Sequence, residues 1–143
     1  MGRGWQTGPV LSRWTPLLRS AFAVALALHL WGLYTPGEPE SGMLFPHADK
    51  VLHSLGFAIP ASLAVLLFRH WWPIVAFAGN AVLSELIQHF FLPNRDGDVF
   101  DLLADLSGLL VAVAVWWWVQ RAAATASGSP TSSTSASAQR PNA

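Results

Sequence analysis

Imidazole and carboxylate groups are the strongest candidates for chemistry in this chain, and they lie in or beside segments apolar enough to enter a bilayer. One set is Asp49-Lys50-Val51-Leu52-His53. The other runs Glu85-Leu86-Ile87-Gln88, then Arg95, then Asp101-Leu102-Leu103-Ala104-Asp105-Leu106-Ser107-Gly108. Charge in hydrocarbon is costly, so acids and histidines kept inside apolar segments are functional candidates by default. His53, Glu85, Asp101 and Asp105 offer the nitrogen and oxygen donors that a divalent cation accepts. The same groups could act as general acid and base, since burial and like-charge crowding shift carboxylate protonation. Alternatively, Lys50 and Arg95 neutralise the acids in a structural ion-pair network, and Arg95 suits a bidentate carboxylate or phosphate partner better than Lys50 does.

Composition limits what can surround these groups. The 143 residues suffice for one small domain. Hydrophobic residues make up 52% and charged residues 11%, well below the quarter or so usual in soluble domains, which points to an integral membrane protein. With no cysteine, disulfides, a thiolate nucleophile and a thiolate metal site are excluded. The few basic residues are scattered, so there is no footprint for nucleic acid. No nucleophile elbow, phosphate loop or zinc-protease helix motif is present.

Apolar runs predict an all-α, four-helix transmembrane bundle with spans at about 17–34, 50–68, 72–92 and 101–119, each able to cross a core about 30 Å thick. Pro16 and Pro73 fall near predicted helix starts, where a missing backbone donor costs little. Pro60 falls mid-span and predicts a kink. Arg13 and Arg19 before the first run are compatible with a signal peptide. The run ends, however, in Leu30-Trp31-Gly32-Leu33-Tyr34 rather than a small-residue cleavage site, so a retained span is expected. Trp31 and Tyr34 read as interfacial anchors, and Trp71, Trp72 and Trp116 to Trp118 as an aromatic belt at the other interface. Residues 1–16 form an N-terminal segment. The Ala/Ser/Thr-rich stretch 121–143 lacks the apolar content to pack and is expected to be disordered.

Four spans segregate the charges. Arg3, Arg13, Arg19, Arg69, Arg121 and Arg140 share one side, without an acid. The 36–49 and 93–100 loops and the adjoining helix ends carry all eight acids with only Lys50 and Arg95. The positive-inside rule then places both termini in the cytoplasm and both acidic loops outside. His53, Glu85, Gln88, His89, Asp101 and Asp105 consequently lie in the same, outer leaflet.

Helical spacing sharpens the cluster. Asp49, His53, Gly56 and Pro60 line one face of the second span; Asp101, Asp105, Gly108 and Ala112 line one face of the fourth. The small residues would let another backbone approach closely. Plainer roles exist for several of these groups. Asp101 could simply cap the fourth helix, and His53 could hydrogen-bond a neighbouring helix. His29 and His89 read as single polar residues near the outer interface, His47 as a loop residue and His70 as interfacial. Asp96 and Asp98 would solvate a loop that Gly97 turns. Asn80, Ser84 and Ser107 read as helix–helix hydrogen bonders.

In order, Asp49-Lys50-x-x-His53, aromatic Phe57, Glu85-x-x-Gln88, Arg95, Asp101 and Gly108 resemble the VanZ-like family of small bacterial membrane proteins. The resemblance covers about 46–114; Asp105 stands where the family carries asparagine. The family's founding member is associated with low-level resistance to the glycopeptide teicoplanin. The resemblance therefore implies a role in cell-envelope physiology at the bacterial plasma membrane, with an amphiphilic, envelope-derived or glycopeptide-like ligand. Glu85, Asp101 and His53 would form the pocket core, with Gln88 and Arg95 orienting the ligand. Two rivals stand beside this: a membrane-embedded metal-dependent hydrolase or transferase acting on a lipid-linked group, and a non-catalytic scaffold. A proton-coupled transporter fits less well, because no inverted repeat is visible.

Overall fold

The computed structural model describes residues 9–36, 47–93 and 99–127. They form four helices: α1 (Pro9–Tyr34), α2 (Ala48–Phe68), α3 (Trp72–Phe91) and α4 (Val99–Ser127). All four are long and apolar enough to span a membrane. Their outer surfaces fit that solvent: Val24, Leu28, Phe90 and Leu110 are each 60–68% exposed. Apolar surface of this kind, repeated around a bundle, is unusual for a soluble monomer. The chain is a multi-pass membrane protein by this measure.

Two helices outrun the apolar segments. α1 begins at Pro9 rather than near residue 17, which puts Pro16 inside the helix instead of at its start. α4 continues to Ser127, so its last turns take in the beginning of the expected disordered tail. Alanine is the best helix former, and Ala122 to Ala124 prolong a helix whose register the span has already set. Residues 128–143 lie outside the described residues. Pro60 is buried within α2, which runs helical on both sides of it. Pro73 stands in the first turn of α3, where its missing N–H is harmless.

The α2–α3 connection is short and built from local caps. Arg69 adopts a left-handed conformation (φ 51°) and donates its backbone N–H to Val65 O at 2.9 Å, closing α2. The Trp72 backbone N–H then donates to His70 Nδ1 at 3.1 Å. His70 is thus part of the turn into α3.

Contacts between helices fix their directions. Lys50 meets Asp101, His53 meets Asp105 and Ser54 meets Ser107, so α2 and α4 run parallel in register. This pair has the most extensive interface in the bundle. α3 returns in the opposite direction and packs alongside both, and α1 packs chiefly on α2. The core holds Leu33 of α1, Phe57, Ala61 and Ala64 of α2, Phe77 and Ala81 of α3, and Leu109 and Ala112 of α4. Half of these are alanines, which lets the backbones approach; in lipid, such packing substitutes for a hydrophobic drive between helices.

Gly108 is the tightest point. A Cβ there would overlap the Ser54 carbonyl oxygen and come within 3.1 Å of Ala58 N. Gly79, by contrast, has nothing within 4 Å of that position. Gly108→Ala is expected to destabilise by about 1–3 kcal/mol through overpacking. Gly79→Ala should be neutral or gain up to about 1 kcal/mol in helix propensity. Thermal unfolding of the two variants in the same detergent checks this. Equal midpoints would contradict the close α2–α4 contact.

Candidate functional site

The polar site starts from the α2–α4 register. With Gly108 seated over the Ser54–Ala58 backbone, three polar pairs follow toward the amino ends of the two helices. Ser54 and Ser107 hydroxyls lie 3.1 Å apart, and Ser107 Oγ also donates to Ala104 O at 2.7 Å. Next comes His53 Nδ1, 2.9 Å from Asp105 Oδ1. Outermost, Lys50 Nζ lies 2.5 Å from Asp101 Oδ1 and 3.2 Å from Asp49 Oδ2.

Exposure is least at the middle pair, His53–Asp105. The Lys50 and Asp101 side chains are 27% and 14% exposed, those of His53 and Asp105 10% and 0%. The arrangement is a charged, partly exposed Lys50–Asp101 pair beside a more buried His53–Asp105 pair, with the acid of the inner pair fully buried. Asp101 sits in the first turn of a helix that begins at Val99, and its carboxylate is committed to Lys50 on a different helix. Its cross-helix ion pair gives it a role beyond a helix cap.

Glu85 reaches the buried pair from α3. One donor atom each from His53, Glu85 and Asp105 lie within 4.8 Å of one another. Of the four groups singled out as cation ligands from sequence, these three converge and Asp101 stays with Lys50. The trio can orient an imidazole for proton exchange, as a carboxylate on Nδ1 does in general-base catalysis. It can also present one nitrogen and two oxygens to a metal ion. Asp105 Oδ2 is buried and has no hydrogen-bond partner among the described residues.

The remaining sequence candidates fall elsewhere. Gln88 is buried, and its Nε2 donates to the Leu33 carbonyl at 3.0 Å, tying α3 to the end of α1. That carbonyl is among the last of α1 and lacks a partner within the helix, so Gln88 acts as a cap supplied by a neighbour. Arg95, Asp96, Gly97 and Asp98 lie outside the described residues. His89 is exposed and stands edge-on to Phe90. His47, at the entry to α2, is exposed with φ 65°.

A second polar network was not expected. Tyr34 OH donates to Asn80 Oδ1 at 2.9 Å, and Asn80 Nδ2 lies 3.1 Å from His29 Nε2. His29 is buried, with its ring edge-on to Phe57 at 4.5 Å between centroids. His29 is thus a buried residue bonded to another helix, and Tyr34 is bonded to another helix too. Asn80 and Ser107 do bond across helices as expected. The Ser84 hydroxyl donates instead to Ala81 O of its own helix. Below His29 and Asn80, a mainly apolar cavity of about 280 Å³ opens between α1, α2 and α3, lined by Phe22, Leu26, Phe68 and Phe77 among others.

The His53–Asp105 contact is measurable as a coupling energy. In a double-mutant cycle with His53→Ala and Asp105→Ala, the coupling should be about 1–3 kcal/mol, above the ~0.6 kcal/mol usual for interhelical hydrogen bonds in a bilayer. Reversible unfolding in mixed micelles supplies the four stabilities. Additive single-mutant effects would show that the two side chains do not interact.

No family model matches the chain, and no curated protein or solved structure matches it.

Proposed function

We propose that the chain is a VanZ-like protein of the bacterial plasma membrane that acts in cell-envelope physiology. Its crevice between α2, α3 and α4 faces outward and takes the polar group of an amphiphilic, envelope-derived or glycopeptide-like ligand. The observation that carries this reading is the convergence of His53, Glu85 and Asp105 from three separate helices. Ionisable side chains at membrane depth are kept where they line a cavity or a pathway, because their cost to the fold is otherwise uncompensated. The greater exposure of the Lys50–Asp101 pair, beside the buried Asp105, supports entry from the outer side. The distribution of arginines supports cytoplasmic termini. At the opposite end of α4, the Arg121 guanidinium lies over the Trp117 ring, 3.4 Å from its centroid, as suits an interfacial anchor beside the cytoplasm.

Orientation can be read directly because the chain has no cysteine of its own. A membrane-impermeant maleimide should label Pro93→Cys in intact cells and His70→Cys only after permeabilisation. The reverse pattern would turn the crevice to the cytoplasm and end the envelope reading. For function, cells expressing the protein should become less susceptible to teicoplanin-type glycopeptides, and Glu85→Gln and Asp101→Asn should abolish the difference. Wild-type behaviour of both variants at equal membrane abundance would remove the crevice from the account.

A further inference from the structure

Beyond an envelope role, we propose that His53, Glu85 and Asp105 hold one first-row divalent cation, Zn²⁺ or Mn²⁺, at the floor of the crevice. The donor set is one imidazole nitrogen and two carboxylates, each from a different helix. A mixed nitrogen and oxygen set suits these ions, whereas Mg²⁺ and Ca²⁺ favour oxygen alone. The spacing fits as well. His53 Nδ1 and Asp105 Oδ1 lie 2.9 Å apart. Two ligands at about 2.1 Å from one ion stand about 3.0 Å apart at an octahedral angle, as for Mn²⁺, and about 3.4 Å apart at the tetrahedral angle of Zn²⁺, which needs the pair to open by about 0.5 Å. An ion can therefore sit on this edge in place of the proton the two atoms share. The third donor lies within 4.8 Å of the others, close enough for a rotation of the Glu85 side chain to complete the set.

Two further facts point the same way. Asp105 is 0% exposed, and its Oδ2 is buried without a hydrogen-bond partner among the described residues. An oxygen left so is expensive, and a cation that Asp105 grips through both carboxylate oxygens is a partner that satisfies it. Secondly, two carboxylates so near each other in apolar surroundings repel when both are ionised, and a dication offsets both charges at once. The bundle also provides stiffness. Asp105 lies one turn from Gly108, whose backbone is locked against α2, so two of the three ligands are held by one rigid contact.

The test uses the full chain, purified in detergent without a polyhistidine tag and stripped with chelator. Equilibrium dialysis against Zn²⁺ should give one ion per chain. Asp105→Asn and Glu85→Gln, which keep side-chain shape, should each weaken binding at least about tenfold to a hundredfold. His89→Gln, on the exposed face, should bind as the wild type does. Binding below half an ion per chain, or unchanged affinity in both carboxylate variants, overturns the site. Electron spin-echo spectra of the Mn²⁺-loaded wild type add a readout independent of how the variants fold. Modulation from one imidazole nitrogen, absent in His53→Gln, is expected; its absence in the wild type refutes the proposal. Metal binding without a glycopeptide phenotype would sink only the envelope role, and a phenotype without metal would sink only this site.

Discussion

Gly108 seated against the Ser54–Ala58 backbone is the contact on which the rest of the bundle depends. Between helices in lipid there is little hydrophobic drive, so association rests on close backbone approach and on polar groups that find partners. The missing side chain at position 108 supplies the first. It also fixes the second, because once the two backbones are in register, polar residues toward their amino ends fall opposite complementary partners. Serine meets serine, histidine meets aspartate, and lysine meets aspartate. The serine pair lies on the surface of the bundle, the histidine–aspartate pair is buried, and the lysine–aspartate pair is partly exposed at the helix ends.

This register also explains why α3 matters although its contacts are fewer. Parallel helices cannot be joined by a short turn, so the chain must return between α2 and α4, and the returning helix carries Glu85 to the level of His53 and Asp105. Gln88, one turn on, holds α3 by bonding the Leu33 carbonyl of α1. Position and support thus come from neighbouring residues of one helix. The second network, Tyr34–Asn80–His29, ties α1 to α3 in the same manner. The face of α1 that packs on the core is built mainly of large residues, Phe22, Leu26, His29 and Leu33, and these polar bonds help to place it.

What was legible in the sequence follows from periodicity. The Asp101, Asp105, Gly108 and Ala112 face of α4 turns inward as its spacing requires, with Asp105, Gly108 and Ala112 buried. His53 and Glu85 could be placed at one depth because hydropathy locates a residue along the membrane normal. Hydropathy says nothing about rotation or about which backbone oxygen needs a donor. Gln88 therefore reads as part of the pocket when it also caps α1, and the packing of His29 against Phe57 was not legible. The ends of α1 and α4 were misjudged for a related reason: apolar content marks where a helix enters lipid, whereas helix propensity and nucleation decide where it stops.

The central claim is that His53 and Asp105 meet within the bundle. Solid-state NMR of the chain in lipid bilayers tests it most directly, through the dipolar coupling between the ¹⁵N-labelled His53 ring and the ¹³C-labelled Asp105 carboxyl group. The account predicts a weak but resolvable through-space coupling, as expected for a ring nitrogen and a carboxyl carbon joined by a hydrogen bond with a 2.9 Å Nδ1–Oδ1 separation. A vanishing coupling, with the His53 ring instead in contact with lipid chains, would contradict it.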